Sequence, residues 1–119
     1  MTEAEALAAF AALSQETRLR ILRRLVTAGP EGLAAGTIAA ALDGAASRVS
    51  FHLSALERAG LITARRDGRS IVYSAAFPAL ADLVGFLMRD CCQGHPEICA
   101  PAVAALASCC SPAPETCRD

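Results

Sequence analysis

Apolar positions recur along most of this chain at helical spacing, and one stretch breaks the rhythm. Residues 4–12 place Leu7, Phe10 and Ala11 on one side of a short helix. Leu19, Leu22 and Val26, flanked by Ile21 and Leu25, form the i, i+3, i+7 stripe of a second helix. Ser14 is placed to cap that helix, Glu16 suits the dipole in its first turn, and Gly29-Pro30 ends it. Arg18, Arg20, Arg23 and Arg24 cover much of its outer surface. A small helix spans 33–42 with Ile38, Ala39 and Leu42 inward, and Asp43-Gly44 interrupts the chain. A fourth helix runs from about Ala46 to Ala59, with Val49, Leu53 and Leu56 inward. Gly60 closes it. Two strand-like runs follow, Leu61–Arg66 and Arg69–Ala75, around Asp67-Gly68, the pair that a two-residue hairpin turn favours. Pro78 then sits in the first turn of a last helix, about 78–92, striped by Leu80, Leu83, Val84 and Leu87 with support from Phe86 and Met88.

Two short helices joined by a Gly-containing turn make a helix-turn-helix. The outer side of the second of them carries Ser47, Phe51 and Ser54, with Arg48 and Ser50 on its flanks. Such a small, hydroxyl-bearing face suits a DNA major groove. His52 falls at the edge of the apolar face, where it packs as readily as it contacts DNA. In the hairpin, Arg66 and Arg69 flank the tip with Arg65 beside them. A hairpin after a helix-turn-helix is a wing, and guanidinium groups suit phosphates or a narrow minor groove. The plainer alternative for these arginines is a solubilised hairpin. The apolar helices at the two ends fit a surface for a twin copy, or else an ordinary core.

Composition narrows the class. A chain of 119 residues has the size of one compact domain, and 54% apolar with 19% charged residues excludes a disordered one. Alanine supplies 27 positions, aromatics only 4%, and Trp is absent, so the core must come from Ala, Leu, Ile and Val. No apolar run nears the ~18 residues of a membrane span, and no signal-peptide pattern opens the chain, so no membrane partner and a cytoplasmic location are expected. The net charge of −1 hides an uneven distribution. Segment 14–73 carries nine Arg against five acids, a net of +4, between ends of −2 and −3, and the chain has no Lys. A basic middle between acidic ends points to a local anion-binding face.

The stretch SRVSFHLSALERAGLITARRDGRSIVYS, Ser47–Ser74, closely resembles the recognition helix and wing of the ArsR/SmtB family of winged-helix repressors. LSQETRLRILRRL, Leu13–Leu25, resembles that family's second helix, and together the resemblance covers roughly residues 5–92. It implies a mainly α fold with a small β-hairpin, a homodimeric winged helix-turn-helix in the order α-α-α-α-β-β-α. A DNA-binding and dimerisation domain is expected over 1–92 and a Cys-rich tail over 93–119. It also implies binding to an inverted-repeat operator with no cofactor required, and release by a metal ion or metalloid. The DNA-contact set is then Ser47, Arg48, Ser50, Phe51, His52, Ser54, Arg65, Arg66 and Arg69. Two sensor sites known in the family do not fit. LAAGTIAAAL lacks the cysteine pair of the best-known arsenic-responsive members. Asp82 and Asp90 lie on or near the last helix without the His partners of the zinc type, His95 falling just beyond.

All six cysteines fall in the last 29 residues, where a secreted disulfide scaffold would spread them. They form a repeat, CCQGHPEIC at 91–99 and CCSPAPETC at 109–117, matching at five of nine positions. Members of the family with a relocated arsenic site resemble the first copy, with a cysteine pair near the end of the last helix and a third Cys downstream. Cys91, Cys92 and Cys99 match that pattern, and Cys109, Cys110 and Cys117 form a weaker second set. Thiolates are soft ligands that select soft ions. Trivalent arsenic or antimony is satisfied by three sulfurs, whereas structural zinc takes four ligands and would need His95 as well. Adjacent cysteines on a regular helix diverge by roughly 100°, so joint chelation favours the helix end, where Gly94 and Pro96 let the chain turn back. Cys91 also continues the Val84–Leu87 stripe, the position of a small core residue.

The expected function is a metalloid-responsive repressor that As(III) or Sb(III) releases from operator DNA. A redox-sensing or a cadmium- or zinc-responsive repressor on the same fold remains open. No enzyme is expected: no Cys has Arg six positions later, and there is no Gly-rich phosphate loop.

Overall fold

The computed structural model describes residues 1–42, 46–88, 101 and 104–105, the side chains of 46 and 47 excepted. The chain divides into two compact units, Met1–Leu83 and Val84–Asp119. Asp43-Gly44, His95 and all six cysteines lie outside the described residues.

Helix α1 (Glu3–Leu13) opens on a capping box that pattern reading passed over, although Thr-x-x-Glu is its sequence signature. The Glu5 amide donates to Thr2 Oγ1 (3.1 Å), and the Thr2 amide donates to Glu5 Oε1 (2.9 Å). Its buried side is Ala6, Ala9 and Ala12, not Leu7, Phe10 and Ala11. Methyl groups at three-residue spacing let α1 lie close against α2 and α4, and the larger Leu7 and Phe10 are left facing outward.

Helix α2 (Glu16–Ala28) is capped by Gln15, whose side chain accepts from the Arg18 amide at 2.9 Å. Ser14, the expected cap, instead closes α1, its hydroxyl donating to the Ala11 carbonyl at 3.0 Å. The buried stripe is Ile21, Leu22 and Leu25, with Arg18 half-buried one turn earlier. Leu19 and Val26 are exposed instead, because the i, i+3, i+4, i+7 face begins at Arg18.

Gly29 ends α2 at φ 79°, and a 3-10 turn, Gly29–Glu31, leads through Gly32 to a two-residue strand, β1 (Leu33–Ala34). Those two residues were expected to begin the third helix. They are strand because β3 offers them antiparallel partners, Leu33 opposite Tyr73 and Ala34 opposite Val72. Helix α3 (Ala35–Leu42) buries Ile38 completely and is followed by α4 (Ala46–Arg58), held to the core by Val49, Leu53 and Leu56 as the spacing predicts.

Strands β2 (Ile62–Asp67) and β3 (Ser70–Ala75) pair antiparallel, and the sheet order is β1-β3-β2. Asp67 lies opposite Ser70, so the two loop residues are Gly68, at φ 65°, and Arg69. The turn is thus one residue later than Asp67-Gly68, set by the register that places Ile62 opposite Ala75, both buried. Helix α5 (Phe77–Met88) carries Pro78 in its first turn and buries Leu83. Residues 89–92 of the expected helix lie outside the described residues. Among the described residues the largest fully buried side chains are Ile21, Leu25, Ile38, Leu53, Leu56, Leu61 and Ile62, all of them aliphatic. Among the described residues no helix is long and apolar enough to cross a membrane.

Candidate nucleic-acid interface

Helix α4 is fixed from behind and polar in front. Its inward face packs on α2 and α3, and Arg48, Ser50, Phe51 and Ser54 stand exposed on the other side. The Ser47 side chain lies outside the described residues. None of the four exposed residues contributes to the core, so the fold leaves them available to a ligand.

His52 has a different place. It is half-buried, and its Nδ1 accepts a hydrogen bond from Arg18 Nε at 3.2 Å. The same guanidinium donates through Nη1 to the Ala12 carbonyl at 3.4 Å. One arginine of α2 therefore links the end of α1 to the middle of α4. With Nδ1 as acceptor, the neutral imidazole carries its proton on Nε2. Burial, and then the positive charge of Arg18, hold the His52 pKa below its ordinary value. Arg18 is accordingly an internal strut rather than part of the outer basic surface expected of it.

The sign of the pH dependence follows. An unfolded chain protonates His52 near pH 6.5, while the folded chain resists until a lower pH. The contribution is fully present above about pH 6.5 and is lost as pH falls from there through the folded value. Thermal unfolding at pH 7.5 and 5.5 should show the wild type losing more stability on acidification than His52→Gln, whose neutral amide has no proton to gain. Equal losses in the two proteins would show that this imidazole is not held neutral.

The arginines divide among three places. Arg66 and Arg69 are exposed, Arg69 in the loop at the wing tip and Arg66 opposite Ile71 on the strand leading to it. Arg65 belongs to the base of the wing: Nη2 donates to the Glu31 carbonyl at 2.8 Å and Nη1 to Ser74 Oγ at 3.4 Å. That ties the guanidinium to the turn before β1, although Arg65 itself stays exposed. Arg20, Arg23 and Arg24 line a shallow depression of about 530 Å³ with Thr27, Ala28 and Leu33. Arg20 also pairs with Glu16 at 2.5 Å. These three stand on the side of α2 opposite Ile21, Leu22 and Leu25, which pack inward. The +4 of segment 14–73 is therefore shared between separate faces: Arg48 and Arg58 are exposed on α4, and Arg66 and Arg69 are exposed on the wing.

Among the described residues no three His, Cys, Asp or Glu side chains come together as a metal site. Asp82 is exposed on α5, and Asp90 lies outside the described residues, as do both cysteine triplets.

A family model described as a helix-turn-helix domain matches residues 13–65, from the end of α1 into β2. The "Probable mercury resistance operon repressor" of Streptomyces lividans is 37% identical over 97 residues, 73% of this chain and 74% of that protein. An ArsR-like transcriptional regulator from Rhodococcus sp. RHA1 superposes with a TM-score of 0.64 at 30% identity, covering 92% of this chain and 95% of the other. The homodimeric winged helix-turn-helix DNA-binding domain of Mb0332 from Mycobacterium bovis superposes with a TM-score of 0.60 at 30% identity, covering 71% and 75%.

Proposed function

The chain belongs to the ArsR/SmtB family of winged-helix repressors, DNA-binding regulators rather than enzymes, and on that premise we propose that it binds an inverted-repeat operator as a homodimer and lets go when a soft trivalent metalloid is captured by its cysteines. The observation that carries the DNA reading is α4 itself: three buried aliphatic residues fix its back, and its front exposes Arg48, Ser50, Phe51 and Ser54. A recognition helix needs this division, since its base-reading side chains must be free while its axis is held. Arg66 and Arg69 add phosphate or minor-groove contacts at the wing.

Dimerisation is supported by large apolar side chains that the fold leaves uncovered. On α1 these are Leu7 (61% exposed) and Phe10, and in the second unit Val84 and Leu87 of α5. The Mycobacterium bovis domain is itself homodimeric. A twofold dimer would set its recognition helices one DNA turn apart, roughly 34 Å.

Cys91, Cys92 and Cys99 are the proposed sensor, with Cys109, Cys110 and Cys117 as an auxiliary set. Three thiols form a soft donor set that fits As(III) or Sb(III). The name of the Streptomyces lividans relative favours mercuric ion as a second reading, since the same sulfurs suit that soft ion. Metalloid capture would bias the dimer toward a form that fits the operator poorly, and DNA would weaken metalloid binding by the same factor.

Fluorescence anisotropy on duplexes recovered by in vitro selection tests this reading, with arsenite, antimonite and mercuric chloride as separate arms. Saturating arsenite should weaken binding about 5- to 150-fold. Unchanged affinity with arsenite and antimonite would reject metalloid release, and a response to mercury alone would establish the second reading. Salt titration of Arg66→Ala and Arg69→Ala should flatten log K against log salt by about 0.9 for each phosphate contact removed. An unchanged slope would take the wing off the phosphates.

A further inference from the structure

Phe51 is anomalous for a helix surface. It is 60% exposed, more than Phe10 (37%) or Phe77 (36%), and it stands among exposed Arg48, Ser50 and Ser54. Its described exposed neighbours within one turn of the helix, Arg48, Ser50 and Ser54, are polar. The ring is also held in place. Its centroid lies 5.7 Å from that of His52 with the planes at 70°, an edge-to-face contact, and His52 is fixed by Arg18. The outer side of α4 thus presents a positioned phenyl ring in a setting of hydroxyl and guanidinium groups.

In a major groove a phenyl ring has one specific partner. It offers no donor or acceptor to the hydrogen-bonding edges of guanine, cytosine or adenine, whereas the C5-methyl of thymine is an apolar group projecting into that groove. Ser50 and Ser54 carry hydroxyls that both donate and accept and so discriminate weakly, and Arg48 suits guanine or phosphate. Resting on the operator-binding reading above, we propose that Phe51 is a specificity-determining residue that seats on a thymine C5-methyl in each half-site. The base read there is thymine, and what is read is its methyl group.

Replacing thymine with uracil deletes that methyl and leaves every hydrogen-bonding edge in place. Duplexes recovered by in vitro selection with the wild-type chain are remade with uracil at each thymine in turn. Wild-type affinity should fall about fourfold at the contacted thymine of each half-site, the loss expected for one buried methyl group. Phe51→Ala should bind the thymine and uracil duplexes alike at that step. Because Phe51 is outside the core, the variant should keep the far-ultraviolet circular dichroism of the parent.

Insensitivity of the wild type to every thymine-to-uracil change overturns the assignment. So does a fourfold penalty that persists in Phe51→Ala, or a Phe51→Ala loss equal on all sequences, which would make the ring a sequence-blind wedge. Failure to recover any duplex would sink the operator-binding reading itself, and this inference with it, a result distinct from selected duplexes whose methyl groups are ignored.

Discussion

Replacing Gly32 with alanine should cost the fold far more than the same replacement at Gly29. Both glycines have left-handed φ with extended ψ, 73° and −168° at Gly32, 79° and −166° at Gly29, a region essentially closed to side chains. The backbone strain of an alanine is therefore alike at the two sites, on the order of 1–3 kcal/mol. Their surroundings differ. A Cβ at Gly29 meets nothing within 4 Å, whereas one at Gly32 would collide with the Tyr73 carbonyl oxygen and lie 2.6 Å from Ser74 Oγ and 2.9 Å from the Tyr73 carbonyl carbon. Two of these three atoms are backbone of β3, so a rotamer change cannot clear them.

Relief would require drawing the turn away from the sheet. That would break the Ser74 hydroxyl bond to the Pro30 carbonyl (3.2 Å) and the Arg65 bond to the Glu31 carbonyl (2.8 Å), and loosen β1 from β3. Two net hydrogen bonds at roughly 1 kcal/mol each, added to the strain, put Gly32→Ala at about 3–5 kcal/mol. For a chain of this size that is a drop in Tm of the order of 15 °C, against roughly half as much for Gly29→Ala. Equal Tm values for the two variants would show that the close approach of the turn to β3 does not exist in solution.

A Cys91→Ser chain should hold its operator as tightly as the parent and ignore arsenite. The first half follows from distance in the sequence: Cys91 lies beyond α4, the wing and every residue of the described core. The second follows from ligand chemistry. A serine hydroxyl is a hard, protonated oxygen at neutral pH and does not replace a thiolate toward a soft ion. Two sulfurs then remain where trivalent arsenic requires three, and a release of about 5- to 150-fold should fall to none. Cys99→Ser should behave in the same way. The combined Cys109→Ser, Cys110→Ser, Cys117→Ser chain should keep most of its response, because the second copy is auxiliary. Anisotropy titrations with and without arsenite decide the matter. If Cys91→Ser still responds fully while the second-copy variant falls silent, the two triplets exchange roles; if the chain without any of the six thiols still responds, the thiol mechanism is wrong.

Where sequence reading succeeded, one local period decided the outcome. Val49, Leu53 and Leu56 were legible as the buried side of α4, because an i, i+4, i+7 spacing leaves one face to bury, and the polar face followed from the same geometry. Where it failed, two faces competed. On α1 the larger side chains were read as inward, yet the close approach of α2 and α4 selects the methyl groups of Ala6, Ala9 and Ala12. On α2 the buried stripe is Ile21, Leu22 and Leu25, in line with Arg18 rather than Leu19, and Arg18 donates to His52, 34 positions away. No local pattern contains that partner. Arg66 and Arg69 were legible as flanking the hairpin tip with Arg65 beside them, but the Arg65 bonds to the Glu31 carbonyl and Ser74 were not.

The order of helices and hairpin, the outward residues of α4 and the paired cysteine motif are therefore properties of the sequence alone, because each depends on neighbours within a turn or two of chain. The third strand, the strut from Arg18 to His52, the anchoring of Arg65 and the demand for glycine at position 32 were decided by tertiary structure. Each depends on a group that folding brings from more than thirty residues away, and the free energy of such a contact has no trace in local periodicity.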